Sequence, residues 1–104
     1  MEEIAAVSLP VVLRPEAQVE FDEAFDWYEQ QRPGLGKDFA AYVQAVLDRI
    51  GATPQLYPQV FQEVRRVVMR RFPYSIFYKV EPQQVVALAI FHGWRDPKAW
   101  QTRA

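Results

Sequence analysis

No cysteine occurs in the 104 residues, and there is one histidine, His92. The first absence excludes disulfide bonds, a thiol nucleophile and thiolate metal sites, and the second leaves no imidazole cluster to replace them. Neither a metal nor any other cofactor is expected. Long apolar runs are missing as well, so no membrane span is expected. The N-terminal Met1-Glu2-Glu3 is acidic where a secretory leader would be basic, which points to a cytoplasmic protein. Net charge is almost absent, with 12 Lys and Arg against 13 Asp and Glu, so the whole molecule has no general attraction to a polyanion. What is present is a half-apolar chain whose length suits one domain over residues 1–104, with a core from about residue 7 to residue 100.

The net charge of −1 conceals a division. Residues 1–62 sum to −6 and residues 63–104 to +5. The basic half carries Arg65, Arg66, Arg70, Arg71, Lys79, Arg95, Lys98 and Arg103. Such asymmetry marks either a surface that meets an anionic partner or internal neutralisation between neighbouring elements.

Val7 to Leu13 is β-branched and apolar, and Pro10, which donates no ladder hydrogen bond, sets the strand's beginning at about Val11. Pro15 fits the first position of a helix and Glu16 its positive end. Ala17, Phe21, Ala24, Phe25 and Tyr28 recur at helical spacing, while Glu16, Glu20, Glu23 and Asp26 form an acidic, solvent-facing stripe. Gln31-Arg32-Pro33-Gly34-Leu35-Gly36 reads as a tight connection. Phe39, Val43, Val46, Leu47 and Ile50 then define a second helix from about Leu35, closed by Gly51, and the two helices form an antiparallel hairpin. Thr53-Pro54 and Tyr57-Pro58 read as a non-repetitive link.

The period then changes. Val64 to Arg71 mixes β-branched residues with arginines, and Tyr74, Ile76, Tyr78 and Val80 alternate with Ser75, Lys79 and Glu81. Val85 to Phe91 runs apolar without alternation, as a strand covered on both faces does, so it belongs in the sheet's interior. His92-Gly93 ends it, and a polar tail follows that carries Trp100. The expected fold is α+β, with order β-α-α-β-β-β: an antiparallel meander packed on one face against a helical hairpin.

Four stretches in this order carry a resemblance to a known family: Val12-Leu13-Arg14-Pro15-Glu16-Ala17, Pro33-Gly34-Leu35-Gly36, the run from Arg70-Arg71-Phe72-Pro73-Tyr74 to Val80, and His92-Gly93-Trp94-Arg95-Asp96-Pro97 with Trp100. Together they resemble the RelE/ParE superfamily of type II toxins. The resemblance implies a small prokaryotic toxin that a cognate antitoxin binds and silences in a hetero-oligomer. Members divide between ribosome-dependent mRNA endoribonucleases and a ParE-like branch, several of which poison DNA gyrase without being enzymes.

RNA cleavage needs a base for the 2′-hydroxyl proton, a cation for the charge at phosphorus and an acid for the leaving oxygen. Arg65, Arg71, His92 and Arg95 are the candidates for those roles. Nuclease members commonly carry an arginine one residue past the position of Tyr74, where this chain has Ser75, and a late tyrosine, where this chain has none after Tyr78. Both departures, and the His-Gly-X-Arg-Asp-Pro ending, resemble the ParE-like branch more. For a target-binding surface the candidates are Arg65, Arg66, Arg70, Arg71, His92, Trp94 and Arg95, because guanidinium groups suit phosphate or carboxylate partners. The competing reading makes the arginines a solvated strand face. For antitoxin contact the candidates are Phe21, Phe25, Tyr28, Tyr74 and Tyr78, on the expectation that an antitoxin segment crosses the hairpin and sheet. The resulting expectation is a growth-arresting toxin that binds DNA gyrase. The alternatives are a ribosome-dependent endoribonuclease and a non-toxic antitoxin-binding or regulatory module.

Overall fold

The computed structural model describes residues 8–93 and 97–104. Trp94 and Arg95, together with Val7, therefore lie outside the described residues. The chain runs through β1 (Val11–Leu13), α1 (Pro15–Gln31), α2 (Leu35–Ala52), β2 (Gln59–Phe61), β3 (Val64–Val68), β4 (Tyr74–Val80), β5 (Val85–His92) and α3 (Lys98–Gln101). One sheet holds all the strands in the order β1-β5-β4-β3-β2. Strands β3, β4 and β5 form the expected antiparallel meander, and β1 joins β5 in parallel with Val11 opposite Val85. Strand β5 is accordingly interior, between β1 and β4.

The helical hairpin follows from its sequence. Proline opens α1, and the turn is closed by Gly34, whose φ of +91° is a left-handed conformation that glycine adopts without a Cβ penalty. Glu29 holds this turn by accepting the Gly34 and Gly36 N–H groups, each at 2.9 Å. Those donors keep its carboxyl below the ordinary carboxylate range, the Gly34 bond contributing most. Phe39, Val43, Val46, Leu47 and Ile50 of α2 are buried with Ala17, Ala24 and Tyr28 of α1 against Val67, Ile76, Tyr78, Val85, Ala87 and Ile90 of the sheet.

Four expectations are corrected. Gly51 does not close α2, which continues to Ala52; a Cβ there would meet the Leu9 carbonyl oxygen at 2.5 Å, so glycine admits the strand entering β1 against the helix. The stretch read as a link ends in a further short strand, β2, bent back onto β3 through Gln62 and Glu63, with Gln62 at φ +53°. The arginine-bearing strand stops at Val68 rather than Arg71. The tail forms α3, and this explains why the face of β4 expected to be polar is not: Trp100 stacks on Phe77 at 4.0 Å and 19°, and a second core of Val64, Phe77, Leu88, Ala89, Phe91 and Trp100 lies on the side of the sheet away from the hairpin. Ser75 is buried there as well.

Candidate functional site

Alternation along β3 divides the arginines. Val67 and Met69 belong to the hairpin-side core and Val64 to the outer one, so Arg65 faces the hairpin side and Arg66 the outer side. The Arg65 guanidinium donates to the carbonyls of Gln55 and Tyr57 and so ties down the segment after α2. Arg66 is exposed and borders a small outer cavity of about 180 Å³ shared with Ser75, Phe77, Phe91, Trp100 and His92. Arg70 is exposed in the bend after β3, where its N–H donates to the Tyr42 hydroxyl at 3.0 Å. Arg71 pairs with Asp38 at the start of α2 at 3.3 Å and lies over the Phe72 ring at 5.2 Å from its centroid. An exposed pair of this kind contributes at most about 1 kcal/mol.

His92 sits opposite Tyr74, with the two rings edge to face at 5.4 Å. Both line an open cavity of about 420 Å³ with Glu20, Glu23, Ala24, Trp27, Tyr28, Pro73 and Ile90. Arg65 is opposite Tyr78, four residues further along β4, which places it about 13 Å from His92 along the sheet. The described nuclease candidates therefore do not converge: Arg65 binds main-chain carbonyls at one end of the sheet, Arg71 reaches toward α2, and His92 faces α1.

The aromatic candidates divide as well. Phe21 and Phe25 are half-buried beside each other, with Phe21 stacked on Phe39 at 5.7 Å. Tyr74 is half-buried, and Tyr28 is nearly enclosed, its hydroxyl pKa pushed up by burial with Tyr74 beside it. Tyr78 is corrected to a core residue. It is fully buried and its hydroxyl donates to the Pro54 carbonyl at 2.6 Å, so it presents no surface to a partner; burial pushes its pKa up to about 12. Trp27, at 55% exposure on the cavity rim, is a large apolar surface that the heptad-like pattern of α1 passes over.

Glu20 was expected to face solvent with the acidic stripe, and the structure shows otherwise. Strand β1 ends at Leu13, opposite Ala87, and leaves the rest of that edge of β5 without a strand beside it. Polar groups continue the ladder: the Arg14 N–H donates to Ala87 O at 3.0 Å, the Arg103 guanidinium to Leu88 O at 3.0 Å, and Ile90 N–H to the Glu20 carboxylate at 2.9 Å. Glu20 and Arg103 are paired at 3.0 Å. Among the described residues no group of carboxylates and histidine could hold a metal ion, and no helix is long and apolar enough to cross a membrane.

This architecture is shared by solved toxins. The chromosomal ParDE toxin–antitoxin system of P. aeruginosa contains a chain that superposes with a TM-score of 0.72 at 16% identity, covering 82% of this chain and 96% of that one. A chain of the toxin–antitoxin complex RelBE2 of Mycobacterium tuberculosis superposes with a TM-score of 0.58 at 18% identity, covering 86% and 97%. Sequence likeness is more specific. Toxin ParE2 of Mycobacterium tuberculosis, strains CDC 1551 / Oshkosh and ATCC 25618 / H37Rv, is 31% identical over 78 residues, which are 74% of this chain and 74% of the relative. Residues 11–97, from the first strand to the proline before α3, match the family described as the ParE toxin of the type II toxin–antitoxin system parDE, and the chain belongs to that family.

Proposed function

We propose that this ParE-family toxin arrests growth by binding DNA gyrase, not by cleaving RNA, and that a cognate antitoxin silences it in the cytoplasm. The observation that carries the non-enzymatic part is the dispersal of Arg65, Arg71 and His92 over separate surroundings. General acid–base chemistry requires its groups within hydrogen-bond reach of one reacting centre, and about 13 Å along the sheet separates Arg65 from His92. Gyrase as the target rests on resemblance to the ParE-like branch.

The antitoxin surface is centred on the half-buried Phe21, Phe25 and Tyr74 and the exposed Trp27, which border α1 and the cavity above β5. An antitoxin tail that orders on binding must offset its lost conformational entropy with buried apolar area, and these rings supply it. The structural neighbours, described as toxin–antitoxin systems, support such a partner.

The test runs two assays side by side on purified toxin. Inhibition of gyrase supercoiling with trapped cleaved DNA, and intact mRNA in a translating extract, is the expected result. Codon-spaced mRNA cleavage with uninhibited gyrase would overturn the proposal in favour of the ribosome-dependent nuclease. Unchecked growth on induction without antitoxin would favour the non-toxic module.

A further inference from the structure

The spacing of α1 sets two rows of side chains beside the His92 end of β5. Glu20, Ala24 and Tyr28 follow one another at intervals of four, and Glu23 and Trp27 form the neighbouring row. Ala24 is too short to fill the space between α1, β4 and β5, which is left as the open cavity of about 420 Å³. Four rings line it: Trp27, Tyr28, Tyr74 and His92. Each stands steeply to the next. Trp27 meets Tyr28 at 5.1 Å and 83°, Tyr28 meets Tyr74 at 6.2 Å and 62°, and Tyr74 meets His92 at 5.4 Å and 82°. Rings stacked flat would close the space, whereas rings at these angles wall a box.

The charge at this box is negative. Glu20 and Glu23 line it, and among the described residues no lysine or arginine does. Glu20 is neutralised by Arg103, and its oxygens already accept from Ile90 N–H and the Arg103 guanidinium. Glu23 is exposed and makes no ion pair with a described residue. We propose that the cavity binds a small molecule with a methylated ammonium head, of the kind choline carries. Aromatic rings attract such a head through their quadrupole, and the Glu23 carboxylate adds to the field. A primary ammonium or a guanidinium brings three or five N–H donors that need acceptors. Of the two carboxylates only Glu23 has oxygens to give. A head covered with methyl groups makes no such demand and buries apolar surface on the rings. This inference goes beyond the toxin reading and holds whatever the toxin's target is.

The experiment titrates the purified chain with choline and follows the amide resonances of Tyr74 and His92 and the indole N–H of Trp27. The uncharged isostere 3,3-dimethylbutanol, butylamine, and a peptide carrying one trimethyl-lysine serve as comparison probes. Choline is expected to shift these resonances saturably, to bind more tightly than the isostere or the primary amine, and to weaken as salt rises. Trp27→Leu, at an exposed position, keeps apolar bulk without a ring. It is expected to weaken choline binding by about fivefold or more while leaving the thermal melt unchanged. Glu23→Gln, also at an exposed position, is expected to remove most of the salt dependence. No saturable shift, equal or tighter binding of the isostere or of butylamine, or undiminished binding by Trp27→Leu would each overturn the assignment. A trimethyl-lysine peptide that binds about tenfold more tightly than choline would overturn the small-molecule source and assign the same head to a modified protein.

Discussion

Glu20 and Arg103, 83 positions apart, form a two-point ion pair along the open edge of β5, with distances of 3.0 and 3.1 Å and side chains 9% and 17% exposed. The same Glu20 oxygen accepts Ile90 N–H, so losing either partner strands a charge and a backbone donor together. Glu20→Ala and Arg103→Ala are each expected to destabilise by about 3–5 kcal/mol in urea titrations. The double variant should cost less than the two losses added together, because each single change leaves the other's charge unpaired.

Tyr78 gives the fold an alkaline limit. Its pKa is raised from 10.0 to about 12, so the unfolded chain loses this proton first and stability falls as pH rises from 10 through 12. Tyr78→Phe should lower stability near neutrality by about 1–2 kcal/mol through the Pro54 carbonyl left without its donor. Above pH 10 its stability curve should be flatter than that of the parent, and denaturant midpoints measured across that range check both statements.

Glu29 acts at the opposite end of the pH scale. A carboxyl with a lowered pKa contributes stability that is present above its unfolded value of 4.5 and is lost as pH falls through its folded value. Glu29→Gln should therefore be the less stable protein at neutral pH, with the difference closing on acidification. Thermal melts at a series of pH values would show convergence, and parallel curves would refute it.

Gly51→Ala is expected to cost about 1–3 kcal/mol by forcing a methyl group against the Leu9 carbonyl. The disturbance should be local to β1. Val85 N–H, which bonds to Pro10 O, should lose hydrogen-exchange protection before the β3–β4 ladder does.

Arg71→Ala and His92→Ala address the chemistry. If toxicity depends on binding instead of RNA cleavage, each variant should still arrest growth, with at most a severalfold change in the dose required. Abolition of toxicity by either change, with both the melting temperature and gyrase inhibition unaltered, would restore the catalytic reading.

The hairpin and meander were legible because their information is local: Pro15 at a helix start, glycines at a turn, apolar spacing in α2, and an unbroken apolar run in β5. Strand β2 was not, since three residues bounded by proline carry too little alternation to register. Glu20 looked like its acidic neighbours because its environment is created by Arg103 and by the early end of β1, neither of which leaves a trace near position 20. Trp100 gave no sign that it would cover Phe77, and β4 therefore read as half-polar. The arginines stand out in the sequence, but their division between the two faces of the sheet rests on register, which a single-residue shift would invert.

Strand β5 occupies the interior of the sheet, yet it follows every other strand in sequence. Until it is in place, β1 has no partner and the hairpin packs on a sheet missing its second strand. The earlier elements cannot settle into a smaller version of the same structure, because their buried surfaces are completed by residues more than seventy positions after Val11. Loop-closure entropy is spent before these long-range contacts form. A chain interrupted before Val85 has neither the cavity that His92 lines nor the strand on which β1 closes.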